Sequence, residues 1–139
     1  MSNCNFYYSI FKSIEHTGAN HFSGNIIESE YGIMGAAVEF ISGTPVNIQE
    51  NIFSEGELGL ILDNSKSTLK CNRFSGFDVA LILRGKNTTY MSPETGGGYN
   101  IFEDNGLHLD FECSQTPSIH QGKNIFGSFG TFCFSGTLK

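Results

Sequence analysis

Charge is scarce in this chain. Charged residues make up 16% of its 139 positions, and lysine and arginine together number eight, scattered along the sequence. With a net charge of -6, no basic stripe exists to displace counterions from a phosphate backbone, which excludes nucleic acid as a partner. Long apolar runs are lacking too, so no segment reaches the roughly 20 residues a membrane-crossing helix requires. The opening "MSNCNFYYSIFKS" has neither the charged start nor the continuous apolar stretch of a secretory signal.

Pairing among the cysteines is equally sparse. Cys4, Cys71, Cys113 and Cys133 form no C-x-x-C and no Cys/His spacing suited to a metal. An even count permits two disulfides, but the spacings match no framework, and buried or half-buried free thiols are the simpler reading. No cofactor fingerprint, phosphate loop or Gly-x-Ser-x-Gly elbow occurs, and neither metal nor cofactor is expected. Sustained 3.6-residue periodicity is missing, and so are the Asn-Gly or Asp-Gly turns that join hairpin arms.

What is present is glycine, with 17 copies, and phenylalanine, with 13. Disordered chains lack such aromatics, so the chain folds. Five of the phenylalanines fall in one phrase, Asn-x-Phe. Its asparagines are Asn20, Asn51, Asn72, Asn100 and Asn124, and its phenylalanines Phe22, Phe53, Phe74, Phe102 and Phe126. Cys4 and Phe6 read as a degenerate earlier copy. The intervals between asparagines are 31, 21, 28 and 24 residues. After each phrase comes a polar turn and then alternating apolar positions, such as Val79, Leu81 and Leu83, or Leu107, Leu109 and Phe111. Period-2 alternation of this length is a strand with one buried face.

Short strands repeated every twenty-odd residues predict a solenoid. Equivalent positions then lie one above another, about 4.8 Å apart. Stacked asparagines pass hydrogen bonds from amide to amide at a tight bend, and the phenylalanines two residues on stack inside the coil. The expected fold is all-β: a right-handed parallel β-helix of about five coils with an internal asparagine ladder and phenylalanine stack. It forms a single domain over 1–139, expected to be a fragment of a longer chain because neither end reads as a cap. Bare ends also predict end-to-end self-association. Two expansions are expected, one at 28–46 that lengthens the first interval and one at 84–99 that forms a surface loop. The second contains Asn87-Thr88-Thr89, an acceptor pattern for N-glycosylation in a eukaryotic secretor.

The pattern aliphatic-x-x-Asn-x-Phe, polar turn, Gly-Ile/Leu-x-Leu, clearest in "GLILDNSKSTLKCNRFSG" (59–76), resembles the parallel β-helix repeat of the pectate-lyase-like superfamily. It covers roughly 18–136. The resemblance implies polysaccharide or flanking domains of a parent chain as partners, an extracellular or cell-surface location, and either a scaffold or a carbohydrate-active enzyme. Hydrolases of the superfamily carry an Asp pair and Gly-His-Gly, absent here. Its lyases need acidic calcium ligands and a basic residue. Among Asp63, Asp78, Asp104 and Asp110, the last draws notice because alternation would place His108 and Asp110 side by side on the outward face. That pair lacks a third catalytic member, and two solvated residues are the plainer reading. His16, His21 and His120 have no partner at ligand spacing and read as turn residues. Tyr31, Tyr90 and Tyr99 are outward aromatics that could stack on sugar rings. The functional expectation is a non-catalytic β-helix segment of a larger secreted or cell-surface protein, a rigid scaffold or carbohydrate-binding surface. The alternative is a polysaccharide lyase or glycoside hydrolase.

Overall fold

In the computed structural model, residues 1–7, 11–16, 20–32, 35–112, 118–127, 131–133 and 137–138 are described. The chain winds through strands β1 (Asn5–Tyr7) and β2 (Phe11–His16), then β3 (Asn20–Ser23), β4 (Ile26–Glu28) and β5 (Ala36–Gly43). The next turns are β6 (Val46–Gln49) with β7 (Ile52–Asp63), and β8 (Lys66–Lys70) with β9 (Arg73–Arg84). β10 (Thr88–Met91), β11 (Ile101–Glu103) and β12 (Leu107–Glu112) follow. Last come the short strands β13 (Ser118–Gln121), β14 (Ile125–Phe126), β15 (Thr131–Cys133) and β16 (Thr137–Leu138).

Successive turns pair in parallel and in register, making a parallel β-solenoid of about four turns rather than five. Its strands form three faces. Face one holds β3, β6, β8, β10, β13 and β16. Face two holds β1, β4, β11, β14 and the first halves of β7 and β9. Face three holds β2, β5, β12, β15 and the second halves of β7 and β9. β7 bends between faces two and three at Glu55 and Gly56, whose φ values are 57° and 128°.

The corner from face one to face two carries the ladder. Each asparagine Nδ2 donates to the next Oδ1 at 2.9 Å, from Asn25 to Asn51, Asn72, Asn100 and Asn124. The same oxygens accept the neighbours' backbone N–H groups at 2.9–3.1 Å. The second amide hydrogen goes to a carbonyl: Phe22 O for Asn51, Ile48 O for Asn72 and Leu69 O for Asn100. Every amide at the bend thus satisfies buried backbone groups that otherwise have no partner.

One member of the expected ladder is wrong. Asn20 does not belong to it; Asn25 does. Asn20 lies on β3 opposite Val46, with its amide on Thr44 Oγ1 at 2.5 Å. The phrase Asn25-Ile26-Ile27 puts Ile27 opposite Phe53, so an isoleucine fills the lumen position there. Phe22 is buried all the same, because it occupies the aliphatic place three residues before the ladder, level with Ile48. Cys4 does stand in the ladder position, its N–H on Asn25 Oδ1 at 3.0 Å, and Phe6 pairs with Ile27. The residue in left-handed backbone is the one before each ladder position, Cys4 included: Asn3, Gly24, Glu50, Cys71, Tyr99 and Lys123, with φ between 52° and 64°.

Within the lumen the phenylalanine rings stack. Phe53 and Phe74 lie 4.5 Å apart, Phe74 and Phe102 4.8 Å, and Phe102 and Phe126 5.1 Å, their ring planes nearly parallel in each case. Leu60, Leu62, Leu81, Leu83, Leu109 and Phe111 close the core from face three.

Most of the expected surface loop at 84–99 belongs to the coil. β10 lies in face one, with Asn87, Thr89 and Met91 buried. Only 92–98 departs from it, as a 3-10 turn at Pro93–Thr95. Asn87 donates to Leu62 O at 2.6 Å and accepts from Thr89 Oγ1 at 2.8 Å, so the acceptor amide of the glycosylation pattern is enclosed. The first expansion leaves the coil between β4 and β5. Tyr31 Oη donates to Gly76 O and Gly32 N–H to Glu57 Oε1, which lays this loop along the corner of faces two and three.

Candidate binding face

The outward side of face one is the most ordered array of polar groups. Parallel register sets His21, Asn47, Thr68 and Tyr90 in one column, which continues to His120, and Ser23, Gln49 and Lys70 in another. Alternation explains the composition: Val46, Ile48, Leu69 and Met91 go inward, leaving the hydroxyls and amides between them to water. The 92–98 insertion stands beside these columns. Together they outline a shallow groove of about 260 Å³ lined by Asn47, Gln49, Thr68, Lys70, Thr95 and Gly96. Its groups are hydrogen-bond donors and acceptors, and they can bind hydroxyl-rich ligands.

The tyrosines do not form one platform. Tyr90 lies on face one with Lys66 Nζ 5.4 Å from its ring centre. Tyr99 is exposed at the ladder corner, beside Lys123 Nζ at 6.0 Å. Tyr31 is exposed on the loop at the other corner of face two, where carboxylates surround it. Its phenol is pushed above the usual tyrosine range, first by desolvation and then by the charges of Asp78, Glu55 and Glu57.

The outward His108–Asp110 pair does not exist. His108 is completely buried, level with Ala80 inside the lumen, while Asp110 lies half-buried in the outward column of Ile61 and Ile82. Alternation breaks because His108 and Leu109 both turn inward, as Ala80 and Leu81 do one turn earlier. His108 Nε2 is 3.3 Å from Gly127 O and Nδ1 is 3.4 Å from Asn105 Nδ2. A carbonyl only accepts, so Nε2 carries the proton and Nδ1 accepts from the amide. Asn105 also accepts from Phe77 N–H at 3.0 Å and donates to Phe74 O at 3.1 Å, a buried polar rung that alternation alone gave no means of finding.

Asp63 receives the amide of Asn64 at 2.7 Å, and Asp78 and Asp104 are exposed near the corner of faces two and three. Among the described residues, no group of three or more His, Cys, Asp or Glu side chains is placed to hold a metal ion, and no helix is long and apolar enough to cross a membrane. Cys4 and Cys71 are free thiols, half-buried and exposed; the side chains of Cys113, Cys133, His16 and His120 lie outside the described residues. No protein-family model, curated protein or solved structure matches the chain. The architecture therefore stands on the chain's own strand register.

Proposed function

We propose that this chain is a non-catalytic β-helix segment of a larger secreted or cell-surface protein, a rigid scaffold that binds carbohydrate on the outward side of face one. The supporting observation is the in-register array of Asn47, Gln49, Thr68 and Tyr90 beside the 92–98 insertion. Such a face offers a glycan repeated hydroxyl and amide partners on a support that needs no ordering on binding. The location outside the cell rests on the repeat's resemblance alone. The enzymatic alternative has lost the pair it leaned on, since His108 is sealed in the lumen.

Affinity electrophoresis through gels containing neutral or acidic polysaccharides tests this reading. Retardation by at least one glycan, reduced at least several-fold in an Asn47→Ala/Thr68→Ala/Tyr90→Ala variant that melts like the parent, supports it. Equal retardation of parent and variant on every glycan, or none at all, refutes it. Product release from any of these polysaccharides would restore the enzymatic alternative.

A further inference from the structure

Charge is sorted around the solenoid. The strands of face one contain no Asp or Glu, while Lys66 and Lys70 project from it and Lys123 lies at its edge. The nearest carboxylates in sequence are Glu50, at the ladder corner, Asp63, at the end of β7, and Glu94, on the insertion. In a three-faced coil, the feature opposite face one is the corner between faces two and three. The segments that turn there, 28–32, 54–58, 75–79 and 103–107, contain no Lys or Arg. They bring Glu28, Glu30, Glu55, Glu57, Asp78, Glu103 and Asp104 along one edge, and among the described residues only Glu103 is answered by a cation, Arg73 of face two. The register stacks Glu57 over Asp78 and places Glu55 and Asp104 in the neighbouring column. Like charges a turn apart repel, so the edge carries a standing negative potential.

We propose that face one docks a second copy of this chain, which presents its acidic corner, so that solenoids associate side by side. The partner is argued from charge complementarity: the edge is convex and anionic, and the groove beside Lys70 is concave and holds no carboxylate. Lys66 and Lys70, four residues apart on β8, present cations about 13 Å apart across face one, on either side of the column of Asn47, Thr68 and Tyr90. Donor and acceptor surfaces are different parts of the molecule, so the contact is heterologous and repeats into an open row instead of closing as a dimer. This packing is lateral, distinct from stacking at the ends, and it stands independently of carbohydrate binding.

Sedimentation velocity on the full chain at low and high salt reads the association. With charges screened over about 30 Å at 10 mM salt but about 8 Å at physiological salt, copies should associate in the first and separate toward monomer as salt rises. Lys66→Glu/Lys70→Glu makes face one anionic, and Glu55→Lys/Asp78→Lys sets two cations in the middle of the corner and more than halves its negative charge; all four side chains are exposed, and circular dichroism verifies that each variant stays folded. Either variant alone should be monomeric at low salt, while an equimolar mixture should associate, because each then supplies the surface the other has lost. A wild-type chain that remains monomeric at low salt overturns the proposal. So does association that persists in both variants, or a mixture that stays monomeric.

Discussion

Replacing Asn72 by leucine keeps a similar side-chain volume and removes one amide from the middle of the ladder. In the wild type that amide does four things: its oxygen accepts both the N–H and the Nδ2 of Asn51, and its nitrogen donates to Asn100 Oδ1 and to Ile48 O. Asn100 Oδ1 keeps the backbone N–H of residue 72, so the acceptor is not stranded. The two Asn51 donors are, because Asn51 is buried and only one hydrogen of its amide is engaged by Phe22 O. At about 1–3 kcal/mol for each buried group left unpaired, the loss is about 2–6 kcal/mol. Against a total stability of about 5–15 kcal/mol for a domain, that is enough to be decisive. Urea denaturation followed by circular dichroism measures it as a lower midpoint at an unchanged slope. Asn20→Leu is the control: it belongs to the same sequence phrase but lies outside the ladder, and should cost about 1 kcal/mol or less. Equal midpoints for the two variants would refute the reasoning, since the phrase and not the ladder would then set the cost.

Phe74→Ala should lose about 3–5 kcal/mol, because rings at 4.5 and 4.8 Å on either side hold the cavity open; the same urea melts report it. Asp110→Asn should change stability by less than about 0.5 kcal/mol, whereas His108→Ala, which empties a lumen position and strips Asn105 of a partner, should cost about 2 kcal/mol or more. Gly59→Ala should destabilise the junction of β7 and β9, since a Cβ there would collide with the carbonyl of Ala80; a depressed melting temperature checks it. Tyr31 should ionise above the ordinary tyrosine range in an alkaline titration of phenolate absorbance, and Tyr31→Phe should remove that late component. Because the folded value is raised, any stability Tyr31 lends is intact below about pH 10 and is lost as pH rises through the folded value.

The repeat and the buried corner were legible because an amide ladder restricts residue type at one position, and phenylalanine happens to fill four of the lumen sites beside it. The misplaced first copy shows the limit of that signal. Asn20-His21-Phe22 imitates the phrase, while Asn25-Ile26-Ile27 performs its role with an isoleucine, because the lumen asks for apolar volume and the corner for an amide. The left-handed corner residue was illegible: asparagine, glycine, glutamate, cysteine, tyrosine and lysine all occupy it. His108 was misread because strict alternation was extended through a strand that turns two successive residues inward. The binding face was hidden for another reason. Asn47, Thr68 and Tyr90 are unremarkable in sequence, and only strand register lines them up.

Hydrogen exchange of the asparagine side-chain amides, followed by nuclear magnetic resonance, tests the stacked corner most directly. Each ladder amide from Asn25 to Asn100 has both its hydrogens or its oxygen committed to partners on neighbouring turns, in a buried site. The Nδ2 hydrogens of Asn51, Asn72 and Asn100 should exchange orders of magnitude more slowly than that of Asn64, which is exposed at the surface. Exchange of the ladder amides at the rate of Asn64 would contradict the stacked corner.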